Sequence, residues 1–399
     1  MIKKFLYRSF LILGTTFGFS QAITVNTTTY TVPQLVTNVL FGTGSGANSC
    51  AGTISNITWS TGTNFSSSNG IAYFSNTNPA FPLSNGVILT TGLATAAPGP
   101  NTTTQSNGST AWPGDNDLFN YITGLGIDPS LTDYNNASVL EFDFVPMASQ
   151  MSFDFLFASE EYGFWQCDYS DAFAFFLTNV TAGTPATNLA LVPGTSIPIS
   201  VVTIRDAANN GSCSSENPTY FGTYTSPPGA AANASATNFN GLTVRMTAAS
   251  AVVPNNTYHI KLVIADRNDN AFDSAVFLAG GSFNIGSESI VGNGTFPNGG
   301  NYTGQTNFSS ANAVCPEFPV TLSATTNPVA GCTYQWSMDG NVVAGATNLN
   351  ETFANPNNAI NPHIITVVIT YPNGCQKTNT ISVEWLPPMP IANPVDLYL

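Results

Sequence analysis

From Met151 the side chains alternate: Met151, Phe153, Phe155 and Phe157 fall on one face of an extended run, and Ser152, Asp154, Leu156 and Ala158 on the other. A period of two is strand geometry, because successive Cβ atoms point to opposite faces of a pleated sheet. A stripe of phenylalanine must be buried against a second layer, so this run commits the chain to packed sheets. Val139–Val145 repeats the pattern with Leu140, Phe142 and Phe144 on the apolar side. Further strands are expected at 87–91, 172–178, 199–204, 242–247, 258–265 and 274–284, between clusters of Gly, Pro, Asn and Ser. One segment reads as helical, Pro33–Leu40, with Pro in the first turn. Many strands joined by long polar loops predict an all-β chain whose main body is a large β-sandwich, jelly-roll-like.

A shift in composition over residues 286–310, with Gly-Asn-Gly and Asn-Gly-Gly, reads as a linker that closes a domain spanning 23–285. Beyond it, Phe318–Ala324, Tyr334-Gln-Trp336 and Ile364–Thr370 look like strands. A Trp in a central strand suits an immunoglobulin-like core, so residues 311–386 are expected to form a small Ig-like β-sandwich. Residues 387–399 read as the truncated start of a further segment, since no closing element follows.

The N-terminus carries an address. Lys3, Lys4 and Arg8 precede a short apolar stretch from Phe10 to Phe19, and Ser20-Gln21-Ala22 offers small residues to a peptidase. Residues 1–22 therefore read as a cleaved signal peptide. The apolar stretch is shorter than the ~20 residues of a membrane span, and no other segment is long and apolar enough, so the mature chain should have no transmembrane span. Only 8% of residues are charged, with 8 Lys+Arg against 22 Asp+Glu. That balance excludes nucleic acid and polybasic attachment to anionic lipid. The expected partner is an extracellular ligand, glycan or protein, and the expected location is secreted or cell-surface.

Export sends the six cysteines into an oxidising compartment. Cys167 and Cys213 both lie in loops of the large domain and are expected to pair. Cys315, before the first strand of the small domain, should pair with Cys375 in the turn after its long strand; Cys50 and Cys332 are left over. With two histidines and no CxxC pair, a Cys/His zinc site is excluded.

Several ordered motifs are familiar. Phe157-Ala-Ser-Glu-Glu-Tyr162 and Ser170-Asp-Ala-Phe-Ala-Phe-Phe-Leu177, with Gly86–Gly92, Leu140–Phe144 and Tyr258–Asp266 running on to Asp273–Leu278, resemble the choice-of-anchor L domain of exported bacterial surface proteins. The second domain resembles the Ig-like or PKD-like modules of large Bacteroidetes adhesins, chiefly through Tyr334-Gln-Trp336 and Asn373-Gly-Cys375. The resemblance implies a cell-surface or secreted module, and brings no ligand or catalytic residue with it.

The sharpest chemical feature is Asp266-Arg-Asn-Asp-Asn-Ala-Phe-Asp273, joining two apolar strands and so expected as a hairpin loop. Asp266, Asn268, Asp269 and Asp273 offer oxygens in the number and flexible spacing that Ca²⁺ accepts. A turn held by Asx hydrogen bonds is the alternative. Glu160 and Glu161 end one strand and Asp171 precedes another; if those junctions share an end with this loop, the carboxylates converge and repel without a cation. Asp115-Asn-Asp117 is a further acidic candidate, and Asp168 a solvated loop acid. Adjacent glutamates point to opposite faces of an extended segment, so Glu160 and Glu161 cannot together form a hydrolytic pair. Trp112 and Trp165 could stack on sugar rings, or simply anchor loops. His259 reads as a sheet-face residue. The reading is an exported, non-enzymatic, calcium-stabilised adhesion module; its rival is a secreted carbohydrate-active enzyme or its sugar-binding part.

Overall fold

The computed structural model describes residues 22–41, 54–62, 70–146, 149–283, 289–325, 328, 330–357, 360–372, 374 and 376–387. Residues 1–21 of the expected 1–22 signal peptide, Cys50, Cys375 and residues 388–399 lie outside them. The large unit contains β1 (Thr24–Asn26), β2 (Ile54–Thr61), β3 (Ile71–Ser75), β4 (Asn85–Thr90), β5 (Tyr134–Phe144), β6 (Gln150–Ser159) and β7 (Ala172–Asn179). It continues through β8 (Thr187–Asn188), β9 (Phe221–Tyr224), β10 (Gly241–Thr243), β11 (Met246–Ala251), β12 (Tyr258–Arg267) and β13 (Ser274–Ala279). One sheet runs β1-β3-β4-β13-β6-β10-β9 with β11 also on β6; the other runs β2-β5-β12-β7-β8. The long ladders are antiparallel.

The phenylalanine stripe meets its expected second layer. Phe153, Phe155 and Phe157 share one buried cluster with Phe142, Phe144, Phe173, Phe175 and Ile260 of the facing sheet. The reverse face of β6 is not open to water. Leu156 and Ala158 pack there with Phe74, Phe81, Phe239 and Phe277, under the loops. A strand covered on both faces loses strict alternation, which is why β13 is buried at every position.

Four local expectations change. The 258–284 segment is no hairpin: β12 pairs with β5 and β7, and β13 with β4 and β6, so the loop between them crosses from one sheet to the other. Six residues can span the ~10 Å between packed sheets. Residues 199–204 are turns, not a strand; Ile199, Val201 and Ile204 reach the core from a tight loop in which Ile204 N–H donates to Ser200 O. The 242–247 run splits into β10 and β11, and 274–284 stops at Ala279 before Gly281 at φ 66°.

The helical reading near Pro33 holds as α1 (Val32–Gln34), capped by Thr31 and continued by a π-helical turn over Leu35–Leu40. A second helix, α2 (Asn116–Leu125), was not expected. Asp115 caps it by accepting from Leu118 N–H at 2.9 Å, and Gly126 ends it at φ 65°. The acids at 115–117 thus initiate a helix rather than ligate. Leu118 and Ile122 bury on the outer face of the β5-β12-β7 sheet.

On that outer face His259 sits between two acids, Nδ1 to Asp143 at 2.7 Å and Nε2 to Glu141 at 3.3 Å. The Glu141 hydrogen bond, then that of Asp143, raises its pKa above the ordinary value. A raised histidine stabilises the fold below its unfolded pKa of ~6.5 and loses that contribution as pH rises through the folded pKa. The melting-temperature gap between wild type and His259→Gln should therefore close from pH 6 towards 9. The effect is under about 1 kcal/mol for so exposed a pair; a gap constant with pH would contradict it.

The small unit comprises β14 (Val291–Gly292), β15 (Val320–Ser323), β16 (Thr333–Met338), β17 (Asn341–Val342), β18 (Asn350–Phe353), β19 (His363–Thr370) and β20 (Gln376–Val383). Sheets β14-β15-β18 and β17-β16-β19-β20 enclose a core around Trp336, Ile365, Val367 and Phe353. Ile290, Tyr302 and Phe308 join this core, so the segment read from its Gly/Asn content as a linker belongs to the second unit from residue 290. Aromatic spacing in 296–308 outweighs glycine content there.

Candidate metal centre

Period two carries Asp266 into the sandwich. Ile260, Leu262 and Ile264 of β12 face the core, and Asp266 is next on the same face. A bulge at Asn136, φ 52°, shifts the register of β5 against β12 just there. Ser159 at the end of β6 pairs with Ser274 at the start of β13, and Ala172 at the start of β7 pairs with Ala265. The three acid-bearing junctions therefore meet at one end of the sandwich.

Five carboxyls are sealed there: Glu160, Glu161, Asp171, Asp266 and Asp273 are each no more than 3% exposed. Asp171 accepts from Arg267 N–H at 3.0 Å and from Ser274 Oγ at 2.6 Å. Glu161 accepts from Asp171 N–H at 2.9 Å. Asp273 accepts from Asn107 N–H and Nδ2 at 3.0–3.2 Å. Gly92 leaves room for it, since a Cβ at 92 would lie 1.8 Å from an Asp273 oxygen. Glu160 accepts from Gln105 N–H at 3.1 Å through one oxygen, and its other oxygen has no partner. Both oxygens of Asp266 are buried and unpartnered. The Thr91 hydroxyl beside them favours ionisation without reaching hydrogen-bond geometry.

Burial pushes the whole group up. Desolvation lifts Glu160 to about 8 and Asp273 to about 6. Desolvation, then the neighbouring Asp171, raises Asp266 and Glu161 well above the carboxylate range. The Arg267 guanidinium acts on Glu161 and lowers its pKa, but burial and the neighbouring Asp171 outweigh it. Arg205, Arg245, Lys261 and Arg267 pair with Glu216, Asp154, Asp115 and Asp128, all outside the group.

The expected residues are thus partly assembled. Glu160, Glu161, Asp171, Asp266 and Asp273 come together. Asn268 turns away: its Oδ1 accepts from Thr132 N–H and Oγ1, and its Nδ2 donates to Ser130 O. Asp269 closes an Asx turn onto Ala271 N–H at the margin. Asp115 and Asp117 bind Lys261 on the outer sheet face. Asp168 is exposed, as expected. Trp112 is buried at 3%, and its Nε1–H donates to Ala137 O, so it anchors a loop and offers no sugar-stacking face. Sequence reasoning missed Gln105, Asn107 and Ser274, which donate to the acids, and Ser159, whose Oγ accepts from the Glu161 N–H and from Ser274 Oγ; polar Ser159 and Ser274 bounding apolar strands were the available signal.

The donor set is all oxygen, which suits a hard cation such as Ca²⁺ rather than a thiophilic metal. Among the described residues no three His, Cys, Asp or Glu side chains form a ready-made metal centre. The orphaned oxygens of Asp266 and Glu160 would have to be joined by rotation of neighbours, by carbonyls or by water. Calcium's flexible shell of six to eight oxygens tolerates such closure.

Cys167 and Cys213 form the expected disulfide, closing a span of 46 residues over the loop that follows Glu161. Chain entropy for a loop of that length is worth up to about 4 kcal/mol. Cys213→Ser should lower stability by about 2–4 kcal/mol in reversible denaturation; an unchanged midpoint would show the loop already ordered without it. Cys315 is half-buried, and its expected partner Cys375 lies outside the described residues.

The sequence matches the choice-of-anchor L domain over residues 24–284. No curated protein matches it. Among solved structures, it is similar to a GH2 beta-galacturonidase from Eisenbergiella tayi, crystallised with glycerol, at 7% identity and a TM-score of 0.15. That alignment covers 62% of this chain and 35% of the enzyme, and it carries no argument at such a score.

Proposed function

The chain belongs to the choice-of-anchor L domain family, a family of exported surface proteins, and from that premise we propose that it is a non-enzymatic adhesion or presentation module stabilised by calcium. The observation that carries the cation is Asp266, fully buried with both oxygens unpartnered among four other sealed acids. Burying an isolated carboxylate is costly unless it is paired, and among the described residues Asp266 has no hydrogen-bond partner. Asp266 would hold the ion, with Asp171, Glu161 and Asp273 as its acidic neighbours and Glu160 next to Asp273. A bound Ca²⁺ would supply the missing positive charge and tie the 160–171 loop to the 268–273 loop. In this reading the second unit is an Ig-like spacer.

The non-enzymatic part rests on access. Glycoside hydrolysis needs carboxyls that a sugar can reach, and Glu160 and Glu161 are sealed. Two measurements test the reading. Chelator should lower the melting temperature of the large domain, and millimolar calcium should restore it; a ligand at a hundred times its Kd adds about 2.7 kcal/mol. A melting curve indifferent to both would sink the calcium reading. Release of sugar from a polysaccharide panel, lost in Glu160→Gln with normal melting, would hand the case to an enzyme.

A further inference from the structure

The loop that carries Glu160, Glu161 and Asp171 also presents the most exposed large hydrophobic side chain of the described residues. Phe164 is 76% exposed. Its ring meets Trp165 at 4.5 Å, and Trp165 meets Tyr169 at 5.1 Å and Phe272 of the 268–273 loop at 5.7 Å. Four rings from two loops thus make one cluster beside the sealed acids.

Its support is rigid. Cys167 within the loop is tied to Cys213. Asn210 Nδ2 donates to the carbonyls of Gly163 and Phe164 at 2.9 and 3.0 Å, and Gln166 Nε2 donates to Asp206 O at 2.9 Å. Phe272 stands at φ 62°, a region that bulky side chains avoid, and its N–H donates to Ser106 Oγ at 2.9 Å. Strain of this kind, held in place by neighbours, concentrates at ligand-binding positions.

The same loop walls a cavity of about 270 Å³, to which Asp168, Ser170, Ser130, Thr203 and Arg267 contribute polar groups. Arg267 is fixed there by Asp128. The clustered rings do not line this cavity; one loop carries both, with Trp165 and Tyr169 in the cluster and Asp168 and Ser170 in the cavity wall. That pairing matches a pyranose, which has an apolar C–H face and a rim of hydroxyls. The exposed Asp168 and the net charge of −14 disfavour uronic acids and anionic lipid.

We propose that this end of the large domain is a binding site for a neutral polysaccharide, with one sugar ring stacked on the Phe164–Trp165 cluster and its neighbour hydrogen-bonded in the cavity. The proposal rests on the reading of the chain as an exported binding module, but not on the cation. Its test is affinity electrophoresis of the mature chain in gels containing starch, mixed-linkage β-glucan, xylan or galactomannan, with sedimentation on phosphatidylcholine vesicles alongside. Retardation by at least one polysaccharide is expected. Phe164→Ala and Trp165→Ala should each weaken it about tenfold or more at unchanged melting temperature, and Val342→Ser, in the small unit, should bind as wild type. No retardation in any gel, retardation equal in the aromatic variants, or vesicle binding that alone responds to Phe164→Ala would each overturn the proposal. The calcium response of the same samples separates the two readings: loss of that response with polysaccharide retained refutes only the cation.

Discussion

Asp266→Asn is expected to raise the melting temperature of the large domain in chelator and to lower it in millimolar calcium. Without a cation, the wild-type carboxyl is buried, unpartnered and faced by other acids, so its charged form is penalised. Asparagine keeps the shape, removes the ionisable proton and gives two N–H donors to the neighbouring carboxylates. Satisfying a buried group that was orphaned is worth roughly 1–3 kcal/mol. At the ~2–4 °C per kcal/mol usual for a domain of this size, the metal-free gain is several degrees. With calcium present the same exchange removes a charged ligand, and the ~2.7 kcal/mol of linkage at a hundred times Kd should largely vanish. The sign reversal is the diagnostic. Equal shifts in chelator and in calcium would mean that Asp266 is a buried acid and nothing more.

Trp336→Ala should unfold the small unit selectively. Trp336 is fully buried among Phe353, Ile365 and Val367, and its Nε1–H donates to Asn348 O at 2.9 Å. Truncating a buried Trp costs about 3–5 kcal/mol, through lost burial and the cavity left behind. The Asn348 carbonyl also loses its donor. Because the large unit has its own core around Phe153, Phe155 and Phe175, calorimetry should show one transition move and the other stay. A matched fall of both transitions would show that the two units unfold as one.

The period-two reading was sufficient for architecture. Met151–Phe157 and Leu140–Phe144 declared strands, an inner face and the need for a second sheet, and the two cores contain those residues. The same signal located the strand ends at Glu160, Asp171 and Asp266 to within a residue or two. It also misled where side chain and backbone part company: Ile199 and Val201 are buried from a turn. The acidic run at 115–117 proved to open a helix.

What local pattern determined, then, was all-β class and most strand positions; the pairing of Cys167 with Cys213 was expected from their place in loops of one domain. Tertiary structure alone decided that β12 and β13 belong to different sheets, that Asn268 turns outward, and that five carboxyls share one sealed end. The reason is range. Alternation is set by Cβ direction within a strand, which neighbouring residues dictate. Which strands pair is set by non-local burial, so acids separated by a hundred residues meet only after the sheets have closed.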